Sequence, residues 1–170
     1  EAIRIRVRAF IDEVVKPTEA RITDDALETR DRDAYLEALL GMRKQAFAAA
    51  LWLPHMPTEW GGMGLGHVEL AMVQAEAARS YYGPWVLNCQ APDEGNMHTL
   101  LHWATDEQKE KYLKPLCDGL AMSCFAMTEP SPGAGSDPGQ LKTRARQVGN
   151  GWVISGRKWL ITGAEGAGVG

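Results

Sequence analysis

Two short segments near the end of the sequence carry the residue types best suited to chemistry. The first reads F-A-M-T-E-P over Phe125–Pro130 and leads into residues 131–139, which are almost all Gly, Pro, Ser and Asp. That composition predicts an irregular loop. Free backbone N–H groups and hydroxyls in such a loop suit a nucleotide-type ligand with many acceptor oxygens. The second segment reads G-R-K-W-L-I-T and ends at Thr162. Each segment therefore has a threonine, Thr128 or Thr162, at or near the end of a strand-like stretch.

Three other catalytic or nucleotide-binding patterns are excluded by single residues. A nucleophilic Ser136 in G-x-S-x-G would need glycine at Ala134 and at Pro138. A phosphate-binding P-loop over residues 151–158 would need lysine where Arg157 stands. A dinucleotide fingerprint would need glycine at His67 and a preceding strand. The glycines before His67 therefore predict a tight turn.

The sequence gives only weak indications of a metal site or of a pair of catalytic carboxylates. His98 and His102 are four residues apart on one helical face, but no third ligand lies nearby in sequence, so we expect no metal site. The adjacent carboxylates of Asp93 and Glu94 have no reason to converge on one bond. A basic set near the end of the chain is predicted to be the solvent face of a hairpin: Lys142, Arg144, Arg146, Arg157 and Lys158.

Composition narrows the class of protein. A chain of 170 residues with 45% hydrophobic residues can bury a core. Its net charge of −4 argues against a nucleic-acid binder. No apolar run approaches the roughly 20 residues of a membrane helix, and no secretory leader is visible. Three cysteines without a C-x-x-C pair indicate reduced thiols, so we expect a cytoplasmic protein.

The first 120 residues predict helices. Apolar spacing predicts one over residues 1–15, which Pro17 should end or kink, and residues 21–33 should form a linker or short helix. Thr105 and Gln108 form a capping box. The further helices are expected at residues 35–51, 68–82, 84–90, 97–103 and 105–117, with residues 91–96 as a loop.

The predicted secondary structure changes from helix to strand after residue 120. Strands are expected at residues 122–130, 141–148, 152–154 and 157–162, with Asn150-Gly151 as a hairpin turn. A helical domain therefore passes into an antiparallel β-domain. Since that domain breaks off at residue 170, we expect unpaired strand edges, exposed apolar surface and an aggregation-prone isolated chain.

The stretch from Ala121 to Thr162 closely resembles the flavin-binding signature of acyl-CoA dehydrogenases, T-E-P-x-G-A-G-S-D followed by I-x-G-x-K-x-W-I-T. Residues 60–65 (W-G-G-M-G-L) and 91–97 (A-P-D-E-G-N-M) resemble the same family's helical domain. The resemblance implies an α+β fold. An all-α N-terminal domain, residues 1–120, would precede the beginning of an antiparallel β-barrel domain, residues 121–170.

The resemblance also implies roles for named residues. The first segment would offer backbone groups and a hydroxyl to the polar edge of the flavin ring, and Thr162 would lie near its reactive N5. The residues expected to bind FAD are Phe125, Met127, Thr128, Gly135, Ser136, Leu160, Ile161 and Thr162. The residues expected near the substrate are Ser136, at the mouth of the channel, and Glu94, close to the acyl pocket.

The function implied by the resemblance is FAD-dependent α,β-dehydrogenation of an acyl-CoA thioester in fatty acid metabolism. Electrons would pass to an electron-transfer flavoprotein or a similar acceptor, and the full-length enzyme would be a homodimer or homotetramer. The family's catalytic base is a glutamate of a C-terminal domain, for which no residue here matches. We therefore name no catalytic residue and expect a fragment of a longer enzyme that does not turn over alone.

Three alternatives stay open at this point. An acyl-CoA oxidase would share the signature and pass electrons to oxygen. A related flavin monooxygenase would share the fold without binding CoA thioesters. A non-catalytic half-subunit would only support a partner chain.

Two departures from the family pattern bear on the site. Ser131 and Pro132 lengthen the loop by two residues. The usual Trp-Ile-Thr is Leu160-Ile161-Thr162 here, with Trp159 one position earlier. Because neighbouring strand residues face opposite sides, either Leu160 takes the ring's place or the register shifts to bring Trp159 there.

Overall fold

The computed structural model describes residues 1–29 and 32–164 of the chain. The chain divides into two compact units, Glu1–Leu120 and a second that begins at Ala121. The first unit is helical, and the second contains a two-stranded antiparallel sheet. The expected α+β character is therefore confirmed.

Eight α-helical segments are assigned in the described part of the first unit. Two π-helical turns, Ile11–Val15 and Lys109–Leu113, each join two of these segments directly, and a 3₁₀ turn spans Thr58–Trp60. The α-helices are α1 (Ala2–Phe10), α2 (Lys16–Thr29), α3 (Arg32–Ala48), α4 (His67–Ala77), α5 (Gly83–Val86), α6 (Asp93–Trp103), α7 (Asp106–Gln108) and α8 (Lys114–Cys117).

Pro17 does not end the first helix, so of the two effects predicted from the sequence, an end or a kink, the first is wrong. A proline ring clashes with the carbonyl four residues earlier, here that of Glu13. The wide π turn Ile11–Val15 lies immediately before it, and the Lys16 N–H donates to the Ile11 carbonyl, five residues back. The wider turn relieves the clash, so helix continues through residue 29, within the stretch where a linker or short helix was expected. Residues 30 and 31 of that predicted linker lie outside the described residues.

Other helix boundaries moved by a few residues. Helix α4 ends at Ala77 and α5 at Val86, earlier than expected, whereas α6 begins at Asp93 inside the predicted loop. A side chain at Gly83 would collide with the Ala77 carbonyl, so glycine permits the close approach of α4 and α5. The capping box of Thr105 and Gln108 is confirmed, with both reciprocal hydrogen bonds formed.

The core of the first unit lies between α1 and α4 and extends under α6 and α8. Each large side chain buried there contributes about 1.5–3 kcal/mol relative to exposure. The Arg43 guanidinium lies between the rings of Trp52 and Trp85, 4.7 and 4.3 Å from their centroids. The largest fully buried side chains include Ile11, Met42, Leu51, Leu53, Met56, Leu87, Met97, Leu113 and Leu116.

The second unit is built around one hairpin. Strands β1 (Arg144–Val148) and β2 (Gly151–Ser155) pair antiparallel, with Val148 opposite Gly151. The turn is therefore Gly149-Asn150, one residue earlier than predicted. Gly149 has a φ of +59°, the conformation that a two-residue hairpin turn favours at its first position.

Two expected strands are wrong for the described residues. Neither residues 122–130 nor residues 157–162 form a strand, apart from an isolated bridge at Ser123. The Met127 N–H donates to the Phe125 carbonyl, and Leu160 has a φ of +53°, so both segments bend. The expected apolar exposure is confirmed, since Trp152, Val153 and Ile154 of β2 are exposed. Within the described residues, no helix has the length and apolar character to span a bilayer.

Candidate functional site

Glu129 is the centre of the second unit. Its carboxylate is buried and accepts the Lys142 and Thr143 N–H groups at 2.7 and 2.9 Å. The Thr143 hydroxyl donates to the same carboxylate at 2.5 Å, and the Lys158 ammonium lies 2.9 Å from it. We call Glu129, Thr143 and Lys158 the carboxylate clasp. It joins the first segment to the hairpin and to the second segment.

The clasp fixes the charge of Glu129. The Thr143 hydroxyl and the Lys142 N–H hold the pKa of Glu129 far below its usual range, more than burial raises it, and Lys158 adds to the effect. The carboxylate therefore stays ionised and fully occupied by donors. Such a group is a poor general base, because its proton affinity is low.

The predicted position of Lys158 is wrong. It was expected on the solvent face of the hairpin, but its side chain is only 23% exposed and pairs with Glu129. It also donates to the Met127 carbonyl at 2.9 Å. The sequence shows an acidic residue in one segment and a lysine in the other, but nothing in their spacing indicates that the two form an ion pair.

The two signature segments lie side by side in the second unit. Besides the Lys158 contacts, the Trp159 N–H donates to the Thr128 carbonyl at 3.2 Å. Met127 and Thr128 are thereby placed next to the stretch that leads to Thr162. Trp159 makes this hydrogen bond through its backbone, and the next residue, Leu160, has a left-handed backbone conformation.

Two glycines make room for the clasp. A Cβ at Gly133 would lie 2.5 Å from a Glu129 carboxylate oxygen. A Cβ at Gly156 would lie 2.6 Å from the Thr143 Cβ and still closer to its hydroxyl oxygen. Contacts under 3.0 Å force a shift, so both positions require glycine for packing rather than for an unusual φ.

The loop after the first segment is pinned at both ends and open in the middle. Glu129 donates its N–H to the Ala134 carbonyl at 2.6 Å, and Ala134 is fully buried. Asp137 accepts the Gly139 N–H at 2.9 Å. Between these anchors Gly135 and Ser136 are exposed, and their backbone amides donate to no group in the part of the chain that the structure describes.

The predicted flavin-binding residues divide by exposure. Met127, Thr128 and Ile161 are partly buried, whereas the side chains of Phe125 and Leu160 are 64% and 81% exposed. Gly135, Ser136 and Thr162 are also exposed. The second unit thus presents apolar side chains, free amides and hydroxyls around one clasp, a donor set suited to a planar ring with polar edges and to phosphate oxygens.

Glu94, the other predicted substrate residue, belongs to a cluster in the first unit. It lies on α6 and accepts the side-chain amide of Gln74 at 3.2 Å. Ligand atoms of His55, Glu94 and His98 all lie within 4.8 Å of one another. His102 stacks on His98 with ring centroids 6.4 Å apart. His98 is therefore grouped with His55 and Glu94 rather than with His102, the neighbour that the sequence spacing suggested.

His55 is buried in the turn between α3 and α4. One ring nitrogen, Nε2, lies 3.1 Å from the Asn88 carbonyl oxygen, and Nδ1 lies 3.2 Å from His98 Nε2. Burial lowers the pKa of His55 to about 4, despite the hydrogen bond to Asn88. Sequence reasoning missed His55 because its partner is 43 residues away.

Comparison with known proteins identifies the family. Residues 1–120 match the family model "Acyl-CoA dehydrogenase, N-terminal domain", and residues 124–170 match "Acyl-CoA dehydrogenase, middle domain". The chain belongs to the acyl-CoA dehydrogenase family, as the sequence resemblance indicated.

Individual relatives agree with this assignment. Acyl-CoA dehydrogenase family member 11 of Gallus gallus is 34% identical over 96% of this chain, which spans 21% of that relative. A solved protein of Mycobacterium abscessus, assigned to the acyl-CoA dehydrogenases, is 38% identical with a TM-score of 0.85, and the match covers 95% of this chain and 42% of that one. An acyl-CoA dehydrogenase of Bacillus anthracis, solved in complex with FAD, is 27% identical with a TM-score of 0.71 over 98% of this chain and 27% of that one.

Proposed function

We propose that this chain carries the FAD-binding part of an enzyme that dehydrogenates acyl-CoA thioesters between the α and β carbons. The observation that carries the proposal is the carboxylate clasp, which holds the two halves of the flavin signature together around Thr128 and Trp159. The family assignment and the FAD-bound relative support the same cofactor.

The residues of the second unit fit FAD by the chemistry of their donors. Backbone groups of Met127 and Thr128, with the Thr128 hydroxyl, would hold the polar edge of the ring. Phe125 and Leu160 offer exposed apolar surface for its faces. The open amides of Gly135 and Ser136 suit phosphate oxygens. Bound FAD supplies the hydride acceptor for the β-hydrogen of the substrate.

This chain's own residues would bind and orient rather than abstract the α-proton. Glu129 is already ionised and saturated with donors, which makes it the structural partner of Lys158 and Thr143. The base would come from a part of the enzyme that this chain does not include. Ser136, exposed on the loop, is proposed to contact the CoA portion, and Glu94 to lie near the acyl chain.

Further properties of the full-length enzyme belong to the same proposal. We propose an electron-transfer flavoprotein or similar acceptor as its partner, a homodimer or homotetramer as its assembly and the cytoplasm as its location. We also propose residues 1–120 as a helical domain and residues 121–170 as the start of a β-barrel domain. Agreement of the two compact units with the family model boundaries supports that division.

The test is a visible absorption spectrum of the full-length natural protein, before and after anaerobic addition of acyl-CoA esters of several chain lengths. We expect a flavin band that bleaches with a matching ester. Glu129→Gln and Lys158→Met should lower the flavin content, because each opens the clasp. Arg146→Gln, on the exposed hairpin, is the matched control and should leave flavin content unchanged.

Each alternative has its own outcome. Rapid reoxidation of the bleached flavin by oxygen would indicate an oxidase. A flavin band that no acyl-CoA ester bleaches would contradict the dehydrogenase proposal and favour a monooxygenase. Absence of flavin, together with stable binding to a full-length relative, would favour a non-catalytic half-subunit.

A further inference from the structure

His55, Glu94 and His98 come together from two parts of the first unit. His55 lies in the turn that follows α3, whereas Glu94 and His98 are four residues apart on α6 and therefore share one face of that helix. His55 is buried, and the other two are partly buried. The cluster is thus a fixed feature of the helical packing rather than a chance approach of mobile surface side chains.

The spacing of the two imidazoles fits a shared metal ion. Zn²⁺ binds histidine nitrogen at about 2.0–2.1 Å in tetrahedral geometry, which puts two coordinating nitrogens about 3.3 Å apart. The His55 Nδ1 to His98 Nε2 distance is 3.2 Å. All three ligand atoms lie within 4.8 Å of one another, so a rotation of the Glu94 side chain would complete the set.

The hydrogen bonds around the cluster orient it for binding. A carbonyl oxygen only accepts, so His55 Nε2 carries the proton in its contact with Asn88 and leaves the lone pair of Nδ1 facing His98. The Asn88 side chain is itself held by a bond to the Leu116 carbonyl. Gln74 donates to Glu94. Metal-binding histidines and carboxylates characteristically have such outer partners.

We propose that His55, Glu94 and His98 form a three-ligand site for a divalent transition metal of the Zn²⁺ class, with water as the fourth ligand. Two imidazoles and one carboxylate suit Zn²⁺ and Co²⁺ and disfavour Mg²⁺, which prefers oxygen ligands. The ion takes the place of the proton in the hydrogen bond between His55 and His98, and it links α6 to the turn between α3 and α4. The proposed metal site is independent of flavin binding.

The experiment measures metal bound to the full-length natural protein. The protein is stripped with a chelator, dialysed against micromolar Zn²⁺ and then against metal-free buffer, and its zinc content is read by mass spectrometry. We expect about one zinc ion per chain. When the stripped protein is dialysed against Mg²⁺ instead, we expect no retained magnesium. His98→Gln should abolish retention, because a site that keeps two ligands binds weakly.

Two matched variants separate a built site from general histidine binding. His102→Gln removes the stacked neighbour that is not a ligand, and we expect full zinc retention. Gln74→Leu removes the outer partner of Glu94, and we expect about a 10- to 100-fold loss of affinity. Unchanged flavin content in both variants would show that the cofactor site is intact.

A second readout does not depend on any variant. Co²⁺ added to the stripped protein should give the strong visible bands of a tetrahedral site, which zinc should displace. The proposal is overturned if the stripped wild-type protein retains no zinc and gives only weak octahedral Co²⁺ bands. Equal zinc retention by wild type and His98→Gln, or equal loss in His102→Gln, would overturn it as well.

Discussion

Replacing Gly156 with alanine tests whether the carboxylate clasp organises the second unit. The added methyl group would lie 2.6 Å from the Thr143 Cβ and 2.8 Å from the Thr143 Cα. The second of these is a backbone atom, so a side-chain rotation of Thr143 alone cannot relieve the contact. Thr143 also donates twice to Glu129, and any shift of Thr143 is passed directly to that carboxylate.

The size of the effect follows from the overlap. Ordinary carbon–carbon contacts lie at about 3.5–4.0 Å, so the backbone at position 156, just after β2, must move by roughly 1 Å relative to Thr143, just before β1. Overpacking of this kind costs about 1–3 kcal/mol. At about 1.4 kcal/mol for each factor of ten, that range corresponds to roughly a 5- to 150-fold change in an equilibrium constant.

The assay is urea unfolding of the full-length flavin-free protein, followed by FAD titration of the refolded sample. Gly156→Ala should lower the unfolding midpoint and weaken FAD binding together. The matched control is Gly135→Ala in the same unit, where an added Cβ meets nothing within 4 Å. In the flavin-free protein we expect its free energy of unfolding to stay within about 0.5 kcal/mol of wild type.

Two results would contradict this prediction. If Gly156→Ala unfolds at the wild-type midpoint, the tight contact with Thr143 does not constrain the unit. If Gly135→Ala is destabilised as strongly as Gly156→Ala, the effect reflects the loss of any glycine and not the geometry around Glu129.

Three further predictions concern the helical unit. Thr105→Ala removes half of the capping box and should lower the free energy of unfolding by about 1 kcal/mol in thermal or urea denaturation. Arg8, then Arg4, lowers the pKa of Glu76 from 4.5 to about 2, so the stabilisation by these pairs is complete above pH 4.5 and declines toward pH 2. The stability difference between wild type and Glu76→Gln should therefore shrink over that window; a constant difference would contradict it. Burial raises the pKa values of Cys89 and Cys117 to about 12, so iodoacetamide at pH 8 should modify neither until denaturant is added, as read by mass spectrometry.

Local signals in the sequence predicted the helical unit well. The capping box at Thr105 and the helix after it depend on residues three or four apart, and they formed as expected. The hairpin also formed, although its turn is one residue earlier because Gly149 takes the left-handed position. Pro17 does not end the helix, one of the two effects predicted for it, because the wide turn that precedes it makes room for the proline ring.

The site was predicted less completely because its contacts are distant in sequence. The signature segments were found, but their apolar residues suggested strands, and both segments bend instead. Glu129 and Lys158 are 29 residues apart, and His55 and His98 are 43 apart. No periodicity connects such pairs, so the clasp and the histidine cluster emerge only from the folded chain.

The wide turn before Pro17 has a consequence for how this chain can vary in length. Each α-helical residue advances by about 100°, and a π turn inserts one additional residue. The additional residue is accommodated within Ile11–Val15, so the buried faces of the helix before and after this turn stay aligned. Val7 and Ile22 are accordingly both buried. Deleting one residue there would keep the buried stripe in phase but press the proline ring against the preceding turn. The inserted residue and Pro17 therefore depend on each other, so we expect a one-residue deletion in Ile11–Val15 to be tolerated only when Pro17 is replaced as well.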